Sequence, residues 1–264
     1  MKYKDKKEYK INVLADTIKI MEQFLYDNPE LGITELSEKT GLHKNKVFRI
    51  LATLESYGYI EQNPETQLYR LGIKVLQLGQ SYLQKSGLAV ISEPLLTELN
   101  EETGETSLLV VFSGMDPVCI SVKDSPHKLK VAASPGERYP LHATALGKIL
   151  LYSYYDQHNG LPPLGELKKY TDNTITNKSR LLEEVKAIEN TSYAFENEEW
   201  QDGVIGIASP VRDFTSRIIA GIGIFVPVTR FNETIKEKLI EKVIRKGWQL
   251  SFKIGYPYLP PEYS

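Results

Sequence analysis

Residues 140–148 read Pro-Leu-His-Ala-Thr-Ala-Leu-Gly-Lys and run straight into Ile149-Leu150-Leu151. His142 is one of only four histidines in the chain. Histidine titrates near neutrality, so His142 and Thr144, with a carboxylate from Glu196 or Asp202, make a candidate acid–base or acyl-transfer set. The same stretch supports a second chemistry, carried by the main chain. The first amides of a helix lack internal partners, and the helix dipole adds partial positive charge there. Small side chains at Ala143 and Ala145 would let a ligand oxygen approach the amides of Ala145 and Leu146, and the Thr144 hydroxyl adds one more donor. Close packing of helix on sheet favours the same small residues, so residue types alone leave both origins open.

The catalytic reading lacks the rest of its machinery. There is no Gly-x-Ser-x-Gly elbow, no phosphate-binding glycine loop, and no His-x-His, His-Glu-x-x-His or carboxylate-rich metal run. The single cysteine, Cys119, excludes an intramolecular disulfide framework and a Cys-built metal site. We therefore expect no enzyme, no cofactor and no metal.

A different chemistry is written near the N-terminus. Residues 34–40 and 44–57 read as two helices joined by Gly41-Leu42-His43, the tight turn of a DNA-binding helix-turn-helix. In the second helix Val47, Ile50, Leu51 and Leu54 recur at helical spacing and predict a buried face. Opposite them lie Asn45, Arg49, Ala52 and Ser56, with Lys46 and Thr53 on one flank. From Lys39 to Leu54 the charged residues are all basic. Asn45, Lys46 and Arg49 are placed to reach base edges, where Asn suits adenine and Arg suits guanine. Thr34, His43 and Lys44, near helix N-termini, are placed to touch phosphates. Strands 59–62 and 67–71 flank the turn Asn63-Pro64-Glu65-Thr66, so Asn63, Thr66 and Gln67 sit at the tip of a wing. A solvated basic face on an ordinary helix is the alternative, and a sensor working only through protein partners would require that region 34–70 not bind DNA.

The elements that must position these residues follow from periodicity. Val13, Ile18, Met21, Phe24 and Leu25 predict a first helix stopped by Asn28-Pro29, and Thr34 is a good N-cap for the second. Ile73, Leu76, Leu78, Tyr82 and Leu83 mark a connecting helix over 72–88, and Pro94–Glu102 a further one. Strands are expected at Ser107–Phe112, Val118–Val122, Leu129–Ala133, Val204–Val211 and Ile218–Val226. Helices are expected at 143–154, Asn177–Glu189 and Asn232–Trp248. The fold class is α+β: a winged helix-turn-helix at 11–71, a linker helix at 72–90, and an antiparallel-sheet domain at 91–255.

Composition is that of an ordinary globular protein: 264 residues, 41% hydrophobic, 25% charged, formal net charge −2. Residues 1–91 carry a slight basic excess and the remainder a slight acidic one. The basic segment 1–10 lacks the apolar run of a signal peptide, and no stretch is long and apolar enough to span a membrane. Cytoplasmic placement is expected.

Four separated stretches now carry a resemblance: Ile33–Ile60, the Leu68-Tyr69-Arg70-Leu71-Gly72 run, Tyr139–Leu151, and Glu198–Val211 (Glu-Glu-Trp-Gln-Asp-Gly-Val-Ile-Gly-Ile-Ala-Ser-Pro-Val). Together, and in this order over about residues 11–250, the chain resembles the IclR family of bacterial transcription regulators. The resemblance implies a winged-helix reader of double-stranded operator DNA and an effector domain similar to the GAF and profilin-like folds. It also implies a homodimer or dimer of dimers (a homotetramer), a repressor of a catabolic operon, and a small carboxylic acid as effector. In the family the segment matching His142–Lys148 holds an effector oxygen on its backbone, which here means Ala143, Thr144, Ala145 and Leu146. An acidic contact position matches Glu196, with Glu198 and Glu199 close enough to leave the register open. Gly206 stands where some members have cysteine, and Gly223 and Phe225 where polar, serine-like residues occur. These departures point to an effector larger or more apolar than a pyruvate-like acid.

Overall fold

A computed structural model describes residues 11–25, 30–85 and 87–258. The basic segment 1–10, the Asn28-Pro29 helix stop and the side chains of Leu25, Tyr82 and Leu83 lie outside the described residues. The chain divides into two compact units, Met1–Leu83 and Gln84–Ser264.

The first unit contains α1 (Asn12–Glu22), α2 (Ile33–Thr40), α3 (Lys44–Ser56), and the antiparallel pair β1 (Ile60–Gln62) and β2 (Tyr69–Leu71). Its core is built by Ile20, Phe24, Leu31, Leu36, Val47, Ile50, Leu51, Ile60 and Tyr69. Val13 and Ile18, expected to point inward, are instead 52% and 57% exposed. Only the C-terminal half of α1 reaches this small core, and its outer apolar residues Val13 and Leu14 border an open groove with α3 instead. Thr34 is not the N-cap of α2. Gly32 holds that position without a side-chain bond, and Thr34 lies in the first turn. Gly41 ends α2 in the left-handed conformation, at φ 70°, with its amide donating to the Ser37 carbonyl.

The connecting helix α4 spans Ile73–Lys85, and α5 spans Gly87–Thr103. The second helix therefore starts well before Pro94, which lies inside it. Pro94 is exposed, as is Val90 one turn earlier, so the carbonyl left without its helical donor lies on a face open to water. Ile73, Leu76 and Leu78 of α4 are more than half exposed rather than packed.

The second unit is a five-stranded antiparallel sheet: β3 (Thr106–Ser113), β4 (Asp116–Lys123), β5 (Ala194–Asn197), β6 (Val204–Arg212) and β7 (Ile218–Pro227), in the order β4-β3-β7-β6-β5. α6 (Ala145–His158) and α7 (Lys178–Thr191) cover one face, and α5 with α8 (Glu233–Lys253) covers the other. Asn177 caps α7 and Asn232 caps α8, each accepting from first-turn amides. Two expectations fail here. Leu129–Ala133 is irregular chain, held by the Thr106 hydroxyl donating to the Val131 carbonyl at 2.8 Å, while residues 136–139 take the outer edge of β4. The edge strand β5 was missed because Ala-Phe-Glu-Asn is short and aims a carboxyl group inward.

Candidate functional site

The α6 face of the sheet is organised in rows. Glu196 of β5, Gly206 of β6, Phe225 of β7 and Thr106 of β3 pair in sequence across four strands. One row further lie Ala194, Ala208, Gly223 and Leu108. The first turn of α6 settles onto these rows because little stands in its way. A Cβ on Gly147 would come 2.3 Å from the Pro140 carbonyl oxygen and 2.5 Å from that of Leu141. Gly147 therefore allows the chain entering α6 to fold back against its first turn.

Thr144 is the N-cap. Its hydroxyl accepts from the Gly147 amide at 3.0 Å and donates to the Pro140 carbonyl at 2.7 Å. The Ala145 amide donates to Glu196 Oε2 at 3.4 Å, and the Trp200 amide donates to Glu196 Oε1 at 3.3 Å. The Leu146 amide has no protein acceptor among the described residues. The three neighbouring carboxyls part company here. Glu196 faces the helix start, Glu198 accepts from the Gly203 amide at 2.7 Å, and Glu199 pairs with Lys148. Glu196 is fully buried, and burial first, then the nearby Glu199 charge, push its pKa up to about 8. It fits there only because residue 206 is glycine: a Cβ at that position would lie 2.5 Å from Glu196 Oε2.

Phe225, 1% exposed, meets Tyr139 edge-on with ring centroids 5.6 Å apart, and Trp200 lies 6.4 Å away. Tyr139 and Trp200 are themselves perpendicular at 5.5 Å. Sequence reasoning did not single out either ring, although both lie within quoted motifs. The structure thus brings Ala143, Thr144, Ala145, Leu146, Glu196, Gly206, Gly223 and Phe225 to one buried face, beside an aromatic trio.

One turn along α6, Lys148 is 1% exposed and donates to Glu184 at 2.5 Å, to Glu199 at 2.6 Å and to the Phe195 carbonyl at 3.0 Å. Lys148 thus occupies the free edge of β5. A cleft of about 500 Å³ opens beside it, lined among others by Lys148, Arg180, Glu184 and Glu199, but not by Glu196. The elements of the catalytic reading are engaged otherwise: the His142 ring donates through Nε2 to the Lys168 carbonyl at 2.9 Å, and Thr144 caps the helix.

In the first unit, α3 buries Val47, Ile50 and Leu51 and exposes Asn45, Arg49, Ala52, Thr53 and Ser56. His43 is the N-cap, its Nδ1 accepting from the Asn45 amide at 3.3 Å, so one ring nitrogen is committed to the helix. Lys44 is exposed. Lys46, expected to reach base edges, turns back to Asp16 of α1, at 2.5 Å. At the wing, Glu30 accepts from Asn63 at 2.8 Å and from the Thr66 hydroxyl at 2.9 Å, which holds its carboxyl below the usual range. Gln67 spends its side-chain amide on the Pro64 carbonyl at 2.9 Å. The tip residues expected to face DNA therefore stabilise the wing itself in this structure. Phe48, 53% exposed on α3, was overlooked because an apolar residue in a helix suggests core.

Comparison with known proteins accords with this arrangement. The family model described as the bacterial transcriptional regulator IclR C-terminal domain matches residues 80–252, and that for the IclR helix-turn-helix domain matches residues 13–64. The transcriptional regulator KdgR of Dickeya chrysanthemi is 34% identical, over 90% of this chain and 78% of its own length. A putative IclR regulator from Silicibacter sp. TM1040 shares the fold with a TM-score of 0.81 at 24% identity, covering 95% of this chain and 98% of that one. An IclR homologue from Microbacterium hydrocarbonoxydans, solved in complex with 4-hydroxybenzoate, shares it with a TM-score of 0.72 at 18% identity, covering 92% and 98%.

Proposed function

The chain belongs to the IclR family of bacterial transcriptional regulators, DNA-binding proteins with an effector domain, and on that premise we propose that it represses a catabolic operon and releases DNA when a small carboxylate seats at the start of α6. One observation carries the proposal. A carboxyl oxygen, that of Glu196, already rests on the first amide of α6, beside a second amide without a protein acceptor among the described residues. The seat has the chemistry an effector carboxylate needs. With its pKa near 8, Glu196 is largely neutral at pH 7 and presents no full charge against an incoming anion.

Gly206, Gly223 and the Tyr139–Trp200–Phe225 trio favour an effector larger or more apolar than a two- or three-carbon keto acid. The homologue solved with 4-hydroxybenzoate sets a precedent for such a ligand within this fold. No catalytic role is assigned, since His142 and Thr144 are engaged in holding the loop and the helix start. In our reading the protein acts in the cytoplasm as a homodimer or dimer of dimers, for which the exposed Ile73, Leu76 and Leu78 supply apolar surface. Effector binding alters the spacing of two winged helices, connected through the linker at 72–90, and a pair of half-sites is gripped only at matching spacing. Ligand and DNA then weaken each other reciprocally.

The test is a thermal-shift panel of small carboxylic acids, followed by DNA release measured by fluorescence polarisation. Aromatic or branched acids should raise the melting temperature and release DNA. Tight binding and DNA release by a two- or three-carbon keto acid would overturn the size argument. A ligand that shifts the melting temperature yet leaves DNA affinity unchanged would overturn the coupling.

A further inference from the structure

The solvent face of α3 carries two parallel strips. Asn45 and Arg49, four residues apart, form a polar one. Phe48 and Ala52, also four apart, form an apolar one beside it, and both residues are exposed, although Val47, Ile50 and Leu51 of the same helix are buried. All four border one open groove of about 830 Å³. Among the described residues, no ion-pair or hydrogen-bond partner engages the Asn45 or Arg49 side chain, and no ring packs on Phe48.

We propose that Phe48, with Ala52 one turn on, reads thymine methyl groups next to the base pairs contacted by Asn45 and Arg49. The proposal rests on α3 being the recognition helix. In the major groove the thymine C5-methyl is the apolar feature among donors and acceptors, and aromatic and small aliphatic side chains are the groups that suit it. A rise of about 1.5 Å per residue puts Phe48 and Ala52 about 6 Å apart along the helix, roughly two base-pair steps. The strip therefore addresses one or two adjacent thymines in each half-site. A phenyl ring so placed adds sequence information that Asn45 and Arg49 lack, because they hydrogen-bond to adenine or guanine edges.

The experiment begins with duplexes selected from a random-sequence pool by the full chain. In the best duplex each thymine is replaced in turn by deoxyuracil, which keeps every hydrogen-bonding group and removes only the methyl. Wild-type protein should lose about fourfold in affinity at one or two adjacent positions per half-site. Phe48→Ala should bind the thymine and deoxyuracil duplexes alike at one or more of those positions, while Arg49→Ala should keep the methyl sensitivity at all of them. Insensitivity of the wild type at every thymine, or equal sensitivity in Phe48→Ala, would overturn the proposal. Failure of the wild type to select any sequence would overturn the recognition-helix assignment itself, and the proposal with it.

Discussion

Glu196 Oε2 accepts a hydrogen bond from the Ala145 amide at 3.4 Å, across a sheet row in which only a glycine leaves it room. The helix start that offers donors to a ligand is thus partly served by the protein's own acid. Whether that acid stays or swings aside depends on residue 206.

Gly206→Ala should force the carboxyl away from Ala145, since the new Cβ would lie 2.5 Å from Oε2. A stability loss of about 1–3 kcal/mol is expected from overpacking. Thermal unfolding of Gly206→Ala, Glu196→Ala and the double variant checks it. The coupling between the two sites should reach about 1 kcal/mol, and simple additivity would contradict the contact.

The pH dependence of stability has a definite sign. Below about 4.5, the ordinary value, Glu196 is protonated whether folded or not; between there and about 8 the unfolded chain releases a proton that the folded one keeps. Stability from this group therefore falls as pH rises from about 4.5 to 8. In Glu196→Gln that part of the decline should vanish, which melting curves at pH 5, 6.5 and 8 would reveal. An unchanged slope would mean that Glu196 titrates normally.

Lys148→Met should destabilise the effector domain by about 3–5 kcal/mol, because it strands the buried Glu199 without its cation. Adding Glu199→Gln to that variant should recover part of the loss. Denaturant titration measures both.

On DNA, Arg49→Ala should cost about 1–3 kcal/mol on a preferred duplex and relax sequence preference. Lys44→Ala should weaken all sequences alike and lower the salt slope by about one. Lys46→Ala should cost less than Arg49→Ala, since its ammonium already pairs with Asp16. Polarisation titrations at several salt concentrations separate these outcomes.

Much of this arrangement was readable in the chain. The helix spacing of Val47, Ile50 and Leu51, the Gly41 stop and the helix starts near Asn177 and Asn232 are local signals, and local physics sets them. What escaped depends on partners distant in sequence. The Lys46–Asp16 pair spans 30 residues, the Ala145–Glu196 bond 51. Pro94 reads as a helix boundary until the exposure of its turn is known. Gly206 read as a lost polar contact, whereas its role is to make room for a side chain one strand away.

Both margins of the five-stranded sheet are partly covered. Along β4 the backbone of residues 136–139 takes up the outward amide and carbonyl groups of Cys119 and the Pro117 carbonyl. Along β5 the Lys148 ammonium takes the Phe195 carbonyl. An open strand margin is a template on which any extended chain can polymerise. With both margins partly covered, strand-to-strand zipping of crowded copies is discouraged, and their association is left more to side-chain chemistry, which can be specific and reversible.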